Sequence, residues 1–173
     1  MRKLLALMTF LSLSSVTHAS DGSESISAVE VIDQFTTGCI VYFPVQSEFD
    51  GWLEKSMAVS LSESQAKKYL RGRPGTAWLI STEHARFVVA TVDRDSCVVY
   101  SSGVDIKTSK GMLRGFLDFL STSGARYEVV EDTQSNTAYA VYPKTGNGKF
   151  RVSITVTPPE VSPTRVALSA TRG

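Results

Sequence analysis

Arg86-Phe87-Val88-Val89-Ala90-Thr91-Val92-Asp93-Arg94-Asp95-Ser96-Cys97-Val98-Val99-Tyr100 is the stretch that decides the fold. Its first half is apolar at Phe87, Val88, Val89, Ala90 and Val92. Successive residues of a strand face opposite sides of a sheet, so this run needs cover on both sides and predicts a mid-sheet strand over Arg86 to Val92. Asp93-Arg94-Asp95 is a tight polar turn. Cys97 to Tyr100 is then the strand that returns beside the first.

Downstream, Lys149 to Thr157 alternates Phe150, Val152, Ile154 and Val156 with Arg151, Ser153, Thr155 and Thr157. That period of two predicts a strand with one dry and one wet face. Arg126 to Glu131 and Thr137 to Tyr142 read as strands around a polar turn at Asn136. Thr145-Gly146-Asn147-Gly148 reads as a hairpin turn. Pro158-Pro159 interrupts the pattern, and Arg165 to Thr171 forms a last strand with Val166, Leu168 and Ala170 inward. Upstream, Thr76 to Ser81 is the first strand.

Helices precede and divide the strands. Ser27-Ala28-Val29-Glu30 fits a capping box, followed by a stripe of Ala28, Val31, Ile32, Phe35 and Cys39. Gly38 signals its end, and Ile40 to Phe43 is an apolar exit closed by Pro44. Ser47-Glu48-Phe49-Asp50 and Ser62-Glu63-Ser64-Gln65 are two further boxes, the latter opening a helix that Gly72 and Pro74 stop. Thr108 or Ser109 caps a fourth helix with Met112, Leu113, Phe116, Leu117 and Leu120 on one face. Gly111 and Gly115 predict a second packed side there, and Gly124 ends it. The fold class is therefore α+β, with about seven largely antiparallel strands, N-terminal helices and one mid-chain helix, the helices on one face. A partial β-barrel with a helical cap is the alternative.

Arg2 and Lys3, the apolar run Leu4 to Leu13 and Thr17-His18-Ala19 make the three parts of a secretory signal peptide. Residues 1–19 are read as a cleaved leader and 20–173 as a single domain, periplasmic or secreted. No cysteine near the processing site offers a lipid attachment point. No later run approaches the ~20 apolar residues of a membrane span. The chain has 18 basic and 17 acidic residues, an even balance that argues against nucleic-acid binding. The two cysteines, Cys39 and Cys97, predict one disulfide in an exported chain, with two buried thiols as the alternative.

Chemistry-bearing patterns are few. His84 is the one histidine outside the leader, and it falls in a loop between strands. It supports a small hydrolase only if a hydroxyl and a carboxylate meet it in space. Asp93 and Asp95 lack the glycine and closing glutamate of a calcium loop. Gly146-Asn147-Gly148-Lys149 fails as a phosphate loop, because Pro143 and Phe150 stand where Gly and Ser or Thr are needed. Glu131 and Asp132 are strand neighbours pointing apart, and Trp52 and Trp78 lie among apolar residues. Lys67-Lys68-Tyr69-Leu70-Arg71-Gly72-Arg73 is the densest basic stretch. There Arg71 and Arg73 offer forked contacts to a carboxylate or phosphate. No cofactor and no metal is expected.

Gly38-Cys39, Gly75-Thr76-Ala77-Trp78, Ser96-Cys97-Val98-Val99 and Ala167-Leu168-Ser169-Ala170 together resemble a small family of uncharacterised bacterial envelope proteins, some of them lipidated. The resemblance implies a signal leader, a helical opening with one cysteine and a second cysteine on a strand. It implies no catalytic residues. The expected role is a non-catalytic binding module with a protein partner in the envelope, Arg71, Arg73 and His84 being candidate contacts. One concrete form is a periplasmic inhibitor or immunity protein against a delivered enzyme.

Overall fold

The computed structural model describes residues 21–144, 148–156 and 166–173. The leader, most of the 145–148 turn, Pro158-Pro159 and Arg165 lie outside the described residues. Helix α1 (Asp21–Gln34) continues as a π-helical segment (Phe35–Tyr42) and is followed by α2 (Gln46–Lys55), β1 (Val59–Ser60) and α3 (Glu63–Leu70). Then come β2 (Gly75–Ser81), β3 (Arg86–Val92), β4 (Ser96–Ser101), α4 (Ile106–Thr122), β5 (Arg126–Asp132), β6 (Asn136–Tyr142), β7 (Phe150–Val156) and β8 (Val166–Arg172).

The strands form one eight-stranded sheet in the order β1-β2-β3-β4-β8-β7-β6-β5. Every pairing is antiparallel. The class is α+β as predicted, with the two-residue β1 as the added strand. The sheet is open, with β1 and β5 at separate edges, so the barrel alternative does not hold. It consists of two meanders, β1–β4 and β5–β8, joined where β4 pairs with β8. Helix α4 carries the chain from mid-sheet to the far edge.

On the front face, α1, the π segment, α2 and α4 bury Phe35, Phe49, Leu113 and Leu117 against Phe87, Val99, Val152, Ile154 and Leu168. Each such side chain contributes roughly 1.5–3 kcal/mol by leaving water. Helix α3 lies on the back face. There Ala66, with the partly buried Tyr69 and Leu70, covers Ala77, Val88, Ala90, Val92 and Tyr100. The expectation of helices on one face is thus corrected. The two-sided apolar run of β3 needs a second cover, and α3 supplies it.

Local starts and stops also differ from the reading. Ser27 lies inside α1 rather than at its cap, and Glu30 instead accepts a hydrogen bond from Thr82 Oγ1 at 2.8 Å. Gly38 does not end the helix. A Cβ there would stand 2.4 Å from the Trp52 ring, so glycine lets the indole lie against the backbone. The wider turn is visible in the Phe43 N–H, which donates to Gly38 O at 2.8 Å. Helix α2 starts after Val45, without a Ser47 cap. Helix α4 is capped by Asp105, whose Oδ1 accepts from Thr108 N at 2.6 Å, not by Thr108 or Ser109. Gly111 and Gly115 face open space rather than a packed neighbour. The Ser62–Gln65 capping box is present as predicted.

Cys39 and Cys97 face each other at disulfide distance, with Cα atoms 5.3 Å apart. The pair links the π segment to β4 beneath the helical layer. Trp52 is buried, and Trp78 packs half-buried on Phe49 with ring centroids 5.8 Å apart. Among the described residues, no helix is long and apolar enough to cross a membrane.

Candidate functional site

The predicted contact residues are not brought together. Arg71 and Arg73 precede β2 and His84 follows it, so the length of that strand, about 20 Å at the usual rise per residue, lies between them. The His84 end is a locally closed loop. Thr82 Oγ1 donates to Glu30 at 2.8 Å, lies 3.2 Å from Ala85 O, and accepts from Ala85 N at 3.0 Å and His84 N at 3.4 Å. The exposed His84 ring lies 3.9 Å from the Glu83 carboxylate. No Ser or Thr hydroxyl among the described residues reaches the ring.

The other end of the strands is different in kind. Arg71 closes α3 in the left-handed region at φ 51°, although its side chain would favour a right-handed backbone. Arg73 Nε donates to Asp93 Oδ2 at 2.6 Å, and a second guanidinium nitrogen joins the same carboxylate. Asp93 and Arg94 form the β3–β4 turn with φ 53° and 65°. Two consecutive positive φ values define the hairpin turn that Asn-Gly or Asp-Gly fills most easily. Arg94 is exposed and makes no ion pair with any described residue.

Arg172 ends β8 at the same end of the sheet. Its inward register continues Val166, Leu168 and Ala170. Its N–H donates to Asp95 O at 3.0 Å, and its guanidinium donates to Phe43 O at 3.1 Å and lies 5.2 Å from the Phe43 ring centroid. Two hollows open on either side of Phe43, Pro44 and Arg172. One, of about 410 Å³, is walled by Ile40, Phe43, Pro143, Lys149 and Phe150. The other, of about 740 Å³, is walled by Gln46, Pro74, Thr76, Asp93 and Arg94. They adjoin across that shared wall and together make one trough-like region, mainly apolar in the first hollow and mixed polar and apolar in the second.

A third hollow of about 190 Å³ lies on the back face where α3 ends. It holds Arg71 and Arg73 beside Tyr69, Tyr100, Ser96, Ser169 and Thr171. The Tyr100 hydroxyl donates to Tyr69 O at 2.8 Å. Burial pushes the Tyr100 phenol above its ordinary value, while Arg71 and Arg73 pull it partly back. Among the described residues, no three His, Cys, Asp or Glu side chains converge where they could hold a metal ion.

Sequence reasoning found Arg71 and Arg73 but missed Phe43, Arg94, Phe150 and Arg172 as members of a cleft. One signal was available: Arg172 occupies the inward register of an alternating strand, where a charge is unexpected. Comparison with known proteins finds no matching family, no similar curated protein and no similar solved structure.

Proposed function

We propose that this chain is an exported, non-catalytic binding protein of the cell envelope, oxidised across Cys39 and Cys97, with a protein partner. The trough around Phe43, Pro44 and Arg172 carries the reading: concave, partly apolar and rimmed by convergent polar groups, it has the character of a recognition site. The basic and apolar leader pattern supports export, and the facing cysteines fit an oxidising compartment. The resemblance to small envelope proteins points the same way. An inhibitor or immunity protein that occludes a delivered enzyme is the concrete form this role takes.

The test is affinity capture from an envelope fraction with the oxidised 20–173 chain. Capture of one dominant protein is expected, and its loss in Phe150→Asp with an unchanged melting temperature. Native material with an intact Met1 and alkylatable thiols overturns the account of export and oxidation. Equal capture by wild type and Phe150→Asp removes the trough from the reading.

A further inference from the structure

Two backbone positions at one end of the sheet hold arginine where glycine is the easier residue. Arg71 and Arg94 account for two of the four non-glycine residues with positive φ among the described residues, at 51° and 65°. Left-handed backbone crowds Cβ against the carbonyl, so a side chain retained there carries a conformational penalty. Strain of this kind concentrates at binding and catalytic sites. Both positions flank the Arg73–Asp93 pair, and Arg94 is directly bonded to Asp93 in the chain.

Charge at this end of the sheet is lopsided. Arg73 occupies the Asp93 carboxylate, while Asp95 keeps its negative charge and accepts from Ser96 Oγ at 2.9 Å, leaving one unpaired acid here against three basic side chains. Arg94 and Lys149 have no ion-pair partner among the described residues, and Arg172 is engaged only by a backbone carbonyl and an aromatic face. All three line the trough. Arg172 sits on the wall shared by the mainly apolar hollow and the mixed one.

Building on the binding reading above, we propose that the trough takes an acidic peptide segment of the partner. One apolar side chain of that segment lies between Phe43 and Phe150, and its carboxylates meet Arg172 and Arg94. An extended segment can reach across two adjacent hollows that share the Phe43, Pro44 and Arg172 wall, which a compact small molecule cannot. Arginine presents a planar fork matched to carboxylate, and with no acid already bound to it Arg94 is free to pair with one. Arg172 is pre-positioned by its contacts to Phe43, so little side-chain freedom remains to be lost when it binds.

Arg94→Gly separates a recognition role from a structural one. Glycine relieves the left-handed backbone, so the variant should melt a few degrees higher than wild type. Its affinity for a fluorescein-labelled pool of short Asp/Glu-rich peptides, each with one Phe or Leu, should fall about tenfold. Arg94→Lys should keep most of the binding. Wild-type binding should weaken with added salt, and a matched Lys-rich pool should not bind. A more stable Arg94→Gly with undiminished affinity overturns the proposal. So does acidic-pool binding that survives Arg94→Glu and Arg172→Gln together. If wild type ignores the acidic pool yet still captures an envelope protein, the acidic ligand is wrong while the binding reading stands. If it does neither, both fall.

Discussion

The two meanders share a front face and differ behind it. Behind β2, β3 and β4, helix α3 excludes water, and Ala77 and Ala90 are fully buried. Behind β7 and β8 the same register positions hold Ser153, Ser169 and Thr155, and Ser153 and Ser169 bond each other at 2.7 Å. Sequence period accounts for the contrast. Strand β3 is apolar at both parities and so requires two covers, whereas β7 alternates and requires one. The meander with two covers also carries the strained turn at Asp93-Arg94, between β3 and β4. A sheet held rigid from both sides can carry strain at its rim.

The largest effect should come from placing a charge behind each meander in turn. Ala90→Asp buries a carboxylate under α3 and should cost about 3–4 kcal/mol or prevent folding. Ser153→Asp, on the open side, should stay within about 1 kcal/mol. Urea unfolding of both variants checks this, and equal losses would mean that the back of the second meander is covered too.

Next comes the link between the π segment and β4. Cys39→Ser with Cys97→Ser releases a closure spanning 58 positions and should cost about 2–4 kcal/mol if the bridge forms. The loss belongs to the first meander, so hydrogen exchange should rise in β3 and β4 before β6 and β7. A double variant as stable as wild type would mean that the thiols are not joined.

Tyrosine titration sharpens the contrast in solvent. Tyr100 is raised above 10.0 chiefly by burial, whereas the less buried Tyr142 is raised chiefly by its hydrogen bond to Glu128. Glu128→Gln should therefore return Tyr142 toward its ordinary value and leave Tyr100 unmoved. A phenol whose folded pKa exceeds its unfolded value contributes stability that persists below the unfolded pKa and is lost as pH climbs through the folded one. Wild type should lose stability above about pH 10 more steeply than Tyr100→Phe. The Phe variant itself gives up the bond to Tyr69 O, about 1 kcal/mol at neutral pH. Identical alkaline limbs would show that Tyr100 is already solvated.

Most of the sheet was legible because burial on one or two sides writes itself into strand period, as β3 and β7 show. The helix ends were not. Ser27-Ala28-Val29-Glu30 satisfies a capping pattern but sits inside α1, where Ala28 and Val31 pack on the core whether or not a cap is present. Gly111 and Gly115 suggested a close neighbour, yet they lie on the arc of α4 away from Leu113 and Leu117. Which face a short helix joins is a long-range matter, so α3 was misplaced although β3 implied its cover. The trough escaped notice for the same reason. Phe43, Arg94, Phe150 and Arg172 are distant in sequence and come to neighbouring hollows at one end of the sheet because β8 inserts beside β4.

The smallest effect tests what stands in for a helix behind the second meander. Arg151 on β7 reaches Glu131 on β5 at 3.2 Å, crossing β6 diagonally from Ala140, its own partner, to Ala138, the partner of Glu131. Ala138 is fully buried although no helix among the described residues covers the back of this part of the sheet. With both partners about half exposed, the ion pair itself contributes little, and a double-mutant cycle should give a coupling below about 0.5 kcal/mol that salt removes. The aliphatic stem of Arg151 is the larger part, since a long side chain laid over a strand keeps water from the alanines beneath it. Arg151→Lys should then be nearly silent, Glu131→Gln likewise, and Arg151→Ala should cost more than either, up to about 1 kcal/mol. If Glu131→Gln costs as much as Arg151→Ala, charge rather than cover holds this side. The two meanders would then differ in the kind of force behind them and not only in its amount.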